Sequence, residues 1–422
     1  MSIHQVAEGL LETHVTWQDV EEEMQKSLGT EARFGKEKKV TNIGDKKGFM
    51  SRIALVEPDW IGVREVENLP KRFVVKMSSL LAFLEMSQLL KQNGEEIEYD
   101  DEKLKGMDQM AKTMHNREVA AYRILMKEKN KKVPIIKIYA LRSFNVSNPL
   151  KGFIISEYVA DIFQIRMHEC VPLETLLPVV RAAATFSAIG EKLGEKETEF
   201  ARGADFLDMT FGQYMDEKTI LKFEKVLKES FPEEYSEKVE RMFKINRMYY
   251  TNSNTVKRFK GICEFFGYRP ILTHSDLYSS NFLCIKTDET VALRAVIDFQ
   301  TASFASPAHD IGRMLLSCLS SKDRRENTDF LLEEYYRTFV KELDEIPAPF
   351  TMKQLKDSYQ VYFPLSAFLI LPGIAPMIKY LVSEDQRDSL KEAAMEKMIG
   401  LMEDFLTIHD DSVKKFPKFF ED

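Results

Sequence analysis

The residues with the clearest chemical meaning form a short polar loop between two apolar runs. Residues 272–281 have the sequence L-T-H-S-D-L-Y-S-S-N, which fits the pattern H-x-D-x-x-x-x-N. Asp276 could accept or orient the proton of an attacking hydroxyl group. The amide oxygen of Asn281 could bind Mg²⁺, a hard cation that prefers oxygen ligands. A lone aspartate in a serine-rich loop is also a common turn or cap residue, so the loop alone leaves both interpretations open.

A second carboxylate follows an apolar segment further along the chain. Asp298, in the sequence V-I-D-F-Q, lies 22 residues after Asp276. Two strands joined by a turn at Lys286 to Thr290 would fill this gap, and such a hairpin would bring Asn281 and Asp298 to the same end. One amide and one carboxylate there would hold magnesium against the β- and γ-phosphates of a nucleotide. Taken singly, Asp298 is equally a cap residue after a strand.

Two earlier features could bind phosphate groups. Residues 43–51, I-G-D-K-K-G-F-M-S, carry Gly44 and Gly48, and glycines let backbone N–H groups approach phosphate oxygens. An ordinary hairpin turn has the same composition. Lys76 lies inside the apolar strand F-V-V-K-M, where a buried ammonium group needs a partner. Glu118, 42 residues on, is the candidate partner; the alternatives are a solvent-facing lysine and a solvent-facing helical glutamate.

These side chains must be positioned by a strand-rich first part of the chain. Thr16, with Asp19 three residues on, predicts the N-cap of a first helix. The turn Pro58-Asp59 predicts a hairpin between the first two of five strands. The predicted strands are Phe49 to Val56, Trp60 to Val66, Arg72 to Met77, Lys132 to Arg142 and Gly152 to Val159, with a long helix at Leu104 to Lys129.

The second part of the chain is mostly helical. Ser306-Pro307 is a cap and first-turn signal for a helix that ends near Ser320. The other predicted helices are Leu173 to Lys192, Glu217 to Glu229, Asn327 to Leu343 and Asp385 to Thr407. We therefore predict two domains: residues 1–158, strand-rich, with the glycine loop, strand lysine and long helix, and residues 159–422, helical, with the catalytic loop and metal site.

Composition limits the classes of partner. The 422 residues include 67 acidic and 59 basic side chains, a net charge of −8, which gives no electrostatic reason to expect nucleic acid. The four cysteines form no C-x-x-C pair, so a zinc site is not expected. Val361 to Met377 contains three prolines and falls short of the ~20 residues of a membrane span; we interpret it as buried helix and loop. We expect a cytoplasmic protein without a signal peptide, membrane span or evident obligate protein partner.

In this order along the chain, the motifs resemble the CHK-kinase-like, or ecdysteroid-kinase-like, family, which is related to choline kinases and aminoglycoside phosphotransferases. Residues 272–281, 297–300 and 306–310 are similar to that family's H-G-D-x-W-x-x-N, D-F-Q and P-x-x-D series. Gly44 to Val56, with Pro58-Asp59-Trp60, is most similar to the nematode branch. The resemblance covers about Val15 to Leu406 and implies an α+β, two-lobed, protein-kinase-like fold that uses ATP and Mg²⁺.

The resemblance also implies a role for each matching residue. The implied roles are Asp276 as catalytic base, Asn281 and Asp298 as metal ligands, Lys76 with its ion-pair partner Glu118 and the glycines Gly44 and Gly48 at the phosphates, and Glu157 to Val159 as the adenine-contacting hinge. Two positions depart from the family. Ser275 replaces a glycine, which is strained if its φ is positive, and Lys46 stands where a glycine is common.

The predicted function is transfer of the γ-phosphate of ATP to a hydroxyl group of a small molecule. Phe363 and Phe368 suggest an apolar, sterol-like alcohol as one acceptor, although ordinary core packing explains them equally well. The alternative is a catalytically silent kinase-like module that binds nucleotide or a partner. A protein kinase is disfavoured because no glycine follows Phe299 and no Ala-Pro-Glu segment follows it.

Overall fold

The chain folds into two compact units with mixed helix and sheet. The structure is a computed structural model that describes residues 2–44, 50–92, 100–128, 131–209, 217–250, 254–287, 290–381 and 387–421. The first unit comprises Met1–Lys131 and Ile135–Ala160, and the second comprises Lys132–Pro134 and Asp161–Asp422. Strands concentrate in the first unit and helices in the second, so the predicted α+β class is confirmed.

The first unit contains three α-helices and seven strands among its described residues. They are α1 (Trp17–Leu28), β1 (Arg33–Phe34), β2 (Lys39–Asn42), β3 (Ser51–Glu57), β4 (Trp60–Ile61), β5 (Phe73–Ser78), α2 (Leu81–Gln92), α3 (Asp101–Lys127), β6 (Ile138–Arg142) and β7 (Phe153–Glu157). The five-stranded sheet has the order β2-β3-β5-β7-β6, and every neighbouring pair is antiparallel.

The core of this unit lies where α1 meets one face of the sheet. Phe73, Val75 and Ile155 are fully buried, together with Val20 and Met24 of the helix. Burying apolar side chains of this kind is the main favourable contribution to stability. The predicted start of α1 is confirmed by a capping box, in which the Thr16 hydroxyl accepts from the Asp19 amide and the Asp19 carboxylate accepts from the Thr16 amide.

The expected hairpin at Pro58-Asp59 is wrong. β4 pairs with β1, and the edge position beside β3 is taken by β2. The turn leads the chain off the sheet because Asp59 has a positive φ of 51° and its carboxylate accepts from the Glu37 amide at 2.9 Å. Trp60 then packs against Phe34, with the ring centroids 4.9 Å apart, which draws the segment toward β1.

The second unit is built mainly from helices. Its described elements are β8 (Ile162–Gln164), α4 (Leu173–Lys192), α5 (Glu195–Thr198), α6 (Phe206–Met209), α7 (Glu217–Ser230), α8 (Ser236–Tyr249), α9 (Asn254–Lys260), α10 (Ile262–Phe265), β9 (Ile271–Thr273), β10 (Phe282–Lys286), β11 (Val291–Val296), β12 (Ser303–Ala305), α11 (Pro307–Cys318), α12 (Ser321–Leu343), α13 (Met352–Leu381), α14 (Arg387–Lys415) and α15 (Pro417–Phe420). The strands form two small antiparallel sheets, β11-β10-β8 and β12-β9.

Helix α4 is the central packing element of this unit and contacts α12 and β9. Its most apolar 18-residue window has a mean hydropathy of 1.2, so by length and composition it could cross a membrane, and among the described helices it is the one that passes this test. In the structure 72% of that window is buried. Burial of this extent is typical of a core helix.

The expected loop within residues 361–377 is wrong, because α13 runs through them as one helix of 30 residues. Proline inside a helix removes a hydrogen bond and disfavours this conformation. Tertiary packing outweighs that cost here: α13 contacts α11, α12 and α14, and Val361, Leu365 and Ile370 are fully buried. Helices in proteins owe most of their stability to such packing.

Candidate active site

Asn281 and Asp298 lie at the same end of the β10–β11 hairpin. The two strands pair antiparallel with Phe282 opposite Val296. One step beyond that pair, the amide of Ile297 donates to the backbone carbonyl of Asn281 at 3.1 Å. The residue after Ile297 is Asp298, so the hairpin sets the two predicted ligands side by side.

Asp310 and His274 fix the backbone of the catalytic loop, residues 274–281. The buried carboxylate of Asp310 accepts from the amides of His274 and Ser275, both at 2.8 Å. Nε2 of His274 donates to the carbonyl of Ile297 at 2.9 Å, and its Nδ1 accepts from the Asp276 amide at 3.3 Å. Because Nδ1 accepts from an amide, it carries no proton, and burial lowers the pKa of His274 in the same direction. The ring braces the loop.

The carboxylate of Asp276 is held at one oxygen by an arginine. Nη2 of Arg313 donates to Oδ1 at 2.5 Å, while Oδ2 lies 3.4 Å from Nδ2 of Asn281. Burial raises the pKa of Asp276; the Arg313 charge opposes this shift, and the nearby charge of Asp298 adds to it. The two aspartates are therefore close enough to interact electrostatically, as a proton acceptor and a metal ligand in one site would.

The side-chain amide of Asn281 is oriented so that its oxygen can bind a cation. The residue ends a short 3-10 turn, Ser279–Asn281, and its Nδ2 donates to the backbone carbonyl of Asp276 at 2.8 Å. The nitrogen is thereby fixed toward the loop, which leaves the amide oxygen as the group for a cation. Together with the carboxylate of Asp298, this donor set fits Mg²⁺, which proteins bind through few side chains plus substrate phosphates.

No cluster of three or more histidine, cysteine, aspartate or glutamate side chains with metal-binding geometry occurs among the described residues. The candidate magnesium ligands predicted from the sequence are one carboxylate, Asp298, and one amide, Asn281.

Ser275 has the positive φ that makes its departure from the family glycine costly. Its φ is 65°, in the left-handed region that favours glycine. The hydroxyl group contacts Thr273 Oγ1 at 2.7 Å and Ser303 Oγ at 2.8 Å, and the side chain is fully buried. These contacts offset part of the strain.

In the first unit, Lys76 and Glu118 form an ion pair. The Nζ–Oε2 distance is 2.7 Å, and the side chain of Glu118 is 2% exposed. Lys76 projects from β5 and Glu118 from α3, so the pair joins the sheet to the long helix. The pairing predicted from the sequence is present, since the two side chains meet.

Of the remaining predicted nucleotide contacts, Gly44, Glu157 and Val159 lie in or beside the same sheet. The amide of Gly44 donates to Asn42 Oδ1 at 3.0 Å, whereas Gly48 and Lys46 lie outside the described residues. Glu157 ends β7 and Val159 follows two residues on. The amide of Glu157 already donates to the carbonyl of Lys137 at 2.8 Å, so a base edge would have to use other backbone groups of residues 157–159.

Two residues that contact the catalytic loop were not assigned to the site from the sequence. Arg313 binds Asp276, and Ser317 Oγ accepts from the Ser279 amide at 3.0 Å. Both lie on α11, three and seven residues after Asp310. Residues three and four apart share one helix face, so this spacing was the available signal.

Lys397 supports the same region from α14. Its buried Nζ donates to the carbonyls of Ser317 at 2.7 Å and Glu169 at 2.9 Å. Burial lowers the pKa of this lysine. The end of α11 thus contacts both the catalytic loop and α14.

Comparison with protein families identifies one that spans almost the whole chain. The family model DUF1679, described as "Uncharacterized oxidoreductase dhs-27", matches residues 3–413. A segment of 142 residues is 32% identical to the "Uncharacterized kinase-like protein D1044.1" of Caenorhabditis elegans. That match covers 32% of this chain and 37% of the relative's length. Together these findings confirm the resemblance to a kinase-like family with a nematode branch.

Solved structures of small-molecule kinases are distant matches over most of the chain. Choline kinase from Cryptosporidium parvum Iowa II is 11% identical with a TM-score of 0.47, covering 91% of this chain and 93% of its own. A microcompartment-associated aminopropanol kinase is 12% identical with a TM-score of 0.44, covering 93% and 98%. The GDP complex of wild-type aminoglycoside 2'-phosphotransferase-IIIa is 13% identical with a TM-score of 0.40, covering 91% and 98%.

Proposed function

The chain belongs to the DUF1679 family, and from the geometry of its catalytic loop we propose that it is a phosphotransferase that moves the γ-phosphate of ATP to a hydroxyl group of a small molecule. The observation that carries this proposal is the grouping of three polar residues: Asn281 Nδ2 donates to the backbone carbonyl of Asp276, and the Ile297 amide donates to the carbonyl of Asn281, which brings Asp298 beside them. Phosphoryl transfer depends mainly on positioning and on charge stabilisation. A carboxylate beside two oxygen ligands supplies both.

In the proposed reaction Asp276 orients the acceptor hydroxyl and takes its proton. The hydroxyl oxygen forms a bond to the γ-phosphorus, the bond to the oxygen that bridges the β- and γ-phosphates breaks, and ADP leaves. The residues that would hold Mg²⁺ are Asn281 and Asp298. When bound, the ion offsets negative charge on the β- and γ-phosphates.

We assign further nucleotide contacts to residues of the first unit. Lys76 is the proposed phosphate contact, because its ion pair with the nearly fully buried Glu118 fixes the direction of its side chain. Gly44 and Gly48 are proposed for the phosphate loop, and the backbone of Glu157 and Val159 for the base.

The family description names an oxidoreductase, whereas the fold points elsewhere. A doubly wound dinucleotide-binding fold has a parallel sheet with helices on both faces. The strand pairs of the described residues are antiparallel throughout. The antiparallel pairing therefore argues against a doubly wound dinucleotide-binding fold in the described part of the chain.

Asp298→Asn tests the proposal against a silent nucleotide-binding module. Asparagine tolerates the left-handed backbone of Asp298, whose φ is 69°, so the variant removes charge with little strain. We expect turnover of Mg²⁺-ATP, with water or an added alcohol as acceptor, to fall roughly 100-fold or more. Steady-state release of ADP measures this.

Asp329→Asn is the matched control, since it removes a carboxylate that is 79% exposed on α12. It should keep wild-type turnover. Equal turnover in the Asp298→Asn variant and the wild type would reject Asp298 as a metal ligand, and ATP binding without turnover in the wild type would favour the silent module.

The acceptor is proposed only as a small-molecule alcohol. Phe363 and Phe368, which suggested an apolar acceptor wall, are buried among the helices of the second unit, with 1% and 3% exposure. This burial supports their role in core packing. Incubating the protein with γ-labelled ATP and a metabolite extract, then identifying the labelled product, would define the acceptor.

A further inference from the structure

One face of helix α11 contacts the catalytic loop at three places. Asp310 accepts two loop amides, Arg313 donates to the carboxylate of Asp276, and Ser317 accepts the Ser279 amide. The three residues are spaced by three and four, so they share one helix face. Two of these contacts hold backbone atoms, whereas the contact of Arg313 holds a side chain that takes part in the proposed chemistry.

The guanidinium group of Arg313 is itself held in place. Its side chain is 9% exposed, and the group lies over the ring of Tyr278, 5.4 Å from the ring centroid. A planar guanidinium over an aromatic ring is favourable and restricts the side chain to one orientation. Arg313 therefore presents its Nη2 to Asp276 from a fixed position.

The consequence for Asp276 is that its two oxygens are not equivalent. Oδ1 is engaged by a charge-assisted hydrogen bond of 2.5 Å, whereas the contact of Oδ2 with Asn281 Nδ2 is long, at 3.4 Å. An acceptor hydroxyl needs a carboxylate oxygen at ordinary hydrogen-bond distance and in a fixed direction. Oδ2 is the oxygen that can provide it.

We propose that Arg313 is a positioning residue for phosphoryl transfer, which holds Oδ1 of Asp276 so that Oδ2 faces the acceptor hydroxyl. This inference rests on the proposed function. It distinguishes Arg313 from its neighbours on α11: Asp310 and Ser317 set the path of the loop, and Arg313 sets the rotamer of its aspartate.

The test compares Arg313→Met and Arg313→Lys with the wild type in Mg²⁺-ATP turnover. Because the backbone contacts of Asp310 and Ser317 stay, ATP affinity should remain within about threefold of wild type. The kcat of Arg313→Met should fall roughly 10- to 100-fold, the range expected for loss of one charge-assisted hydrogen bond. Arg313→Lys keeps the charge without the planar group and should recover part of the kcat.

Arg181→Met is the matched control. Arg181, on α4, forms an ion pair with Glu334 of α12 at 2.6 Å, and the Arg181 side chain is 52% exposed. In the variant, Glu334 keeps Arg337 as a partner. This variant should keep wild-type kcat. Circular dichroism and thermal unfolding establish that each variant is folded, and Arg313→Lys carries the test if Arg313→Met does not fold.

The outcomes separate the two proposals. Wild-type kcat in both Arg313 variants, with turnover that still depends on Asp298, would overturn the positioning role alone. Equal loss of kcat and of ATP affinity in Arg313→Lys would also overturn it, because a general structural effect would be the cause. Absence of Mg²⁺-ATP turnover in the wild type would reject the proposed function, and the positioning role with it.

Discussion

At the scale of single residues, the candidate site contains two left-handed backbone positions. Ser275 and Asp298 have φ values of 65° and 69°, and neither is glycine. Such conformations cost roughly 1–2 kcal/mol and persist where surrounding contacts fix them. At Ser275 those contacts are the hydroxyl hydrogen bonds to Thr273 and Ser303 and the hydrogen bond from its amide to the carboxylate of Asp310.

Comparing Ser275→Gly with Ser275→Ala isolates the backbone strain. Both variants lose the two hydroxyl hydrogen bonds, but only glycine adopts a positive φ without cost. We expect Ser275→Gly to be more stable than Ser275→Ala by about 1 kcal/mol. Chemical denaturation of the two proteins measures the difference.

Comparing the stability of Ser275→Ala with that of the wild type measures the contribution of the hydroxyl hydrogen bonds. Ser275→Ala should be less stable than wild type by about 1–2 kcal/mol, because it keeps the strain and loses the hydroxyl contacts. A glycine variant no more stable than the alanine variant would contradict the assignment of a strained backbone at this position.

Site residues that lie within one short stretch of the chain could be predicted from the sequence. The loop pattern and the hairpin length were enough to place Asp276, Asn281 and Asp298 in one region. Arg313 could not be assigned in this way, because a helical side chain reaches a loop only after the helix has docked. That docking depends on contacts between α11 and α13, which no short motif records.

At the scale of elements, α4 and β9 approach each other more closely than side chains ordinarily allow. A Cβ atom added at Gly190 would overlap Cβ of Leu272, and Leu272 is fully buried. β9 leads directly into the catalytic loop. The glycine therefore sets the position of β9, the strand that leads into the loop with His274 and Asp276.

Gly190→Ala should destabilise the second unit by about 1–3 kcal/mol, the usual cost of inserting an extra group into a packed core. It should also lower Mg²⁺-ATP turnover, because β9 must move away from α4. Thermal unfolding and ADP release measure the two effects.

Gly106→Ala is the control for this substitution. Gly106 lies inside α3, and an added Cβ there meets nothing within 4 Å. Replacing a helical glycine with alanine in open space should stabilise the protein by about 0.5–1 kcal/mol. If Gly190→Ala behaved like Gly106→Ala, the close approach of α4 and β9 would be wrong.

Helix starts that depend on neighbouring residues were predicted correctly, whereas elements whose conformation depends on tertiary packing were not. Thr16 with Asp19 and Ser306 with Pro307 marked the starts of α1 and α11, and the structure shows both caps. The prolines of α13 indicated a loop, and burial of that helix among its neighbours outweighed them. The segment at Trp60 was predicted to pair with the preceding strand. In the structure Trp60 packs against Phe34, and β4 pairs with β1.

At the scale of the whole molecule, each unit contains a buried histidine that stays neutral. Burial lowers the pKa of His115 in the first unit to about 4, and the charges of Lys76 and Arg123 add to this shift against a hydrogen bond to the Arg142 carbonyl. Burial likewise lowers the pKa of His409 in the second unit to about 4. Both groups titrate near pH 6.5 in an unfolded chain.

Stability should therefore fall as the pH drops from about 6.5 toward 4. In that window the unfolded chain binds protons that the folded protein excludes, so the stability present above pH 6.5 is lost. For His115 the full loss is about 3 kcal/mol. Denaturant unfolding between pH 7 and 4 measures this.

Replacing His115 with Gln gives the comparison, because the Gln amide keeps a donor for the Arg142 carbonyl and does not titrate. Its unfolding free energy should depend less on pH than that of the wild type. An unchanged pH dependence would contradict the neutral buried state of His115.

The boundary between the units shows what a linear prediction omits. We expected the second unit to begin at residue 159, yet Lys132–Pro134 group with it. The reason is visible in two contacts: Val296 donates to the Pro134 carbonyl at 2.8 Å, and Lys132 pairs with Glu342 at 2.8 Å. Contacts separated by more than 150 residues leave no local pattern in the sequence.

The buried ammonium group of Lys397 has a consequence for biosynthesis. Its two carbonyl partners, on Glu169 and Ser317, precede it by 228 and 80 residues. While a ribosome is still translating the intervening segment, those carbonyls have no such donor, and the scaffold beneath the catalytic loop is incomplete. The nascent polypeptide can therefore form this support of the loop only after residue 397 has been synthesised.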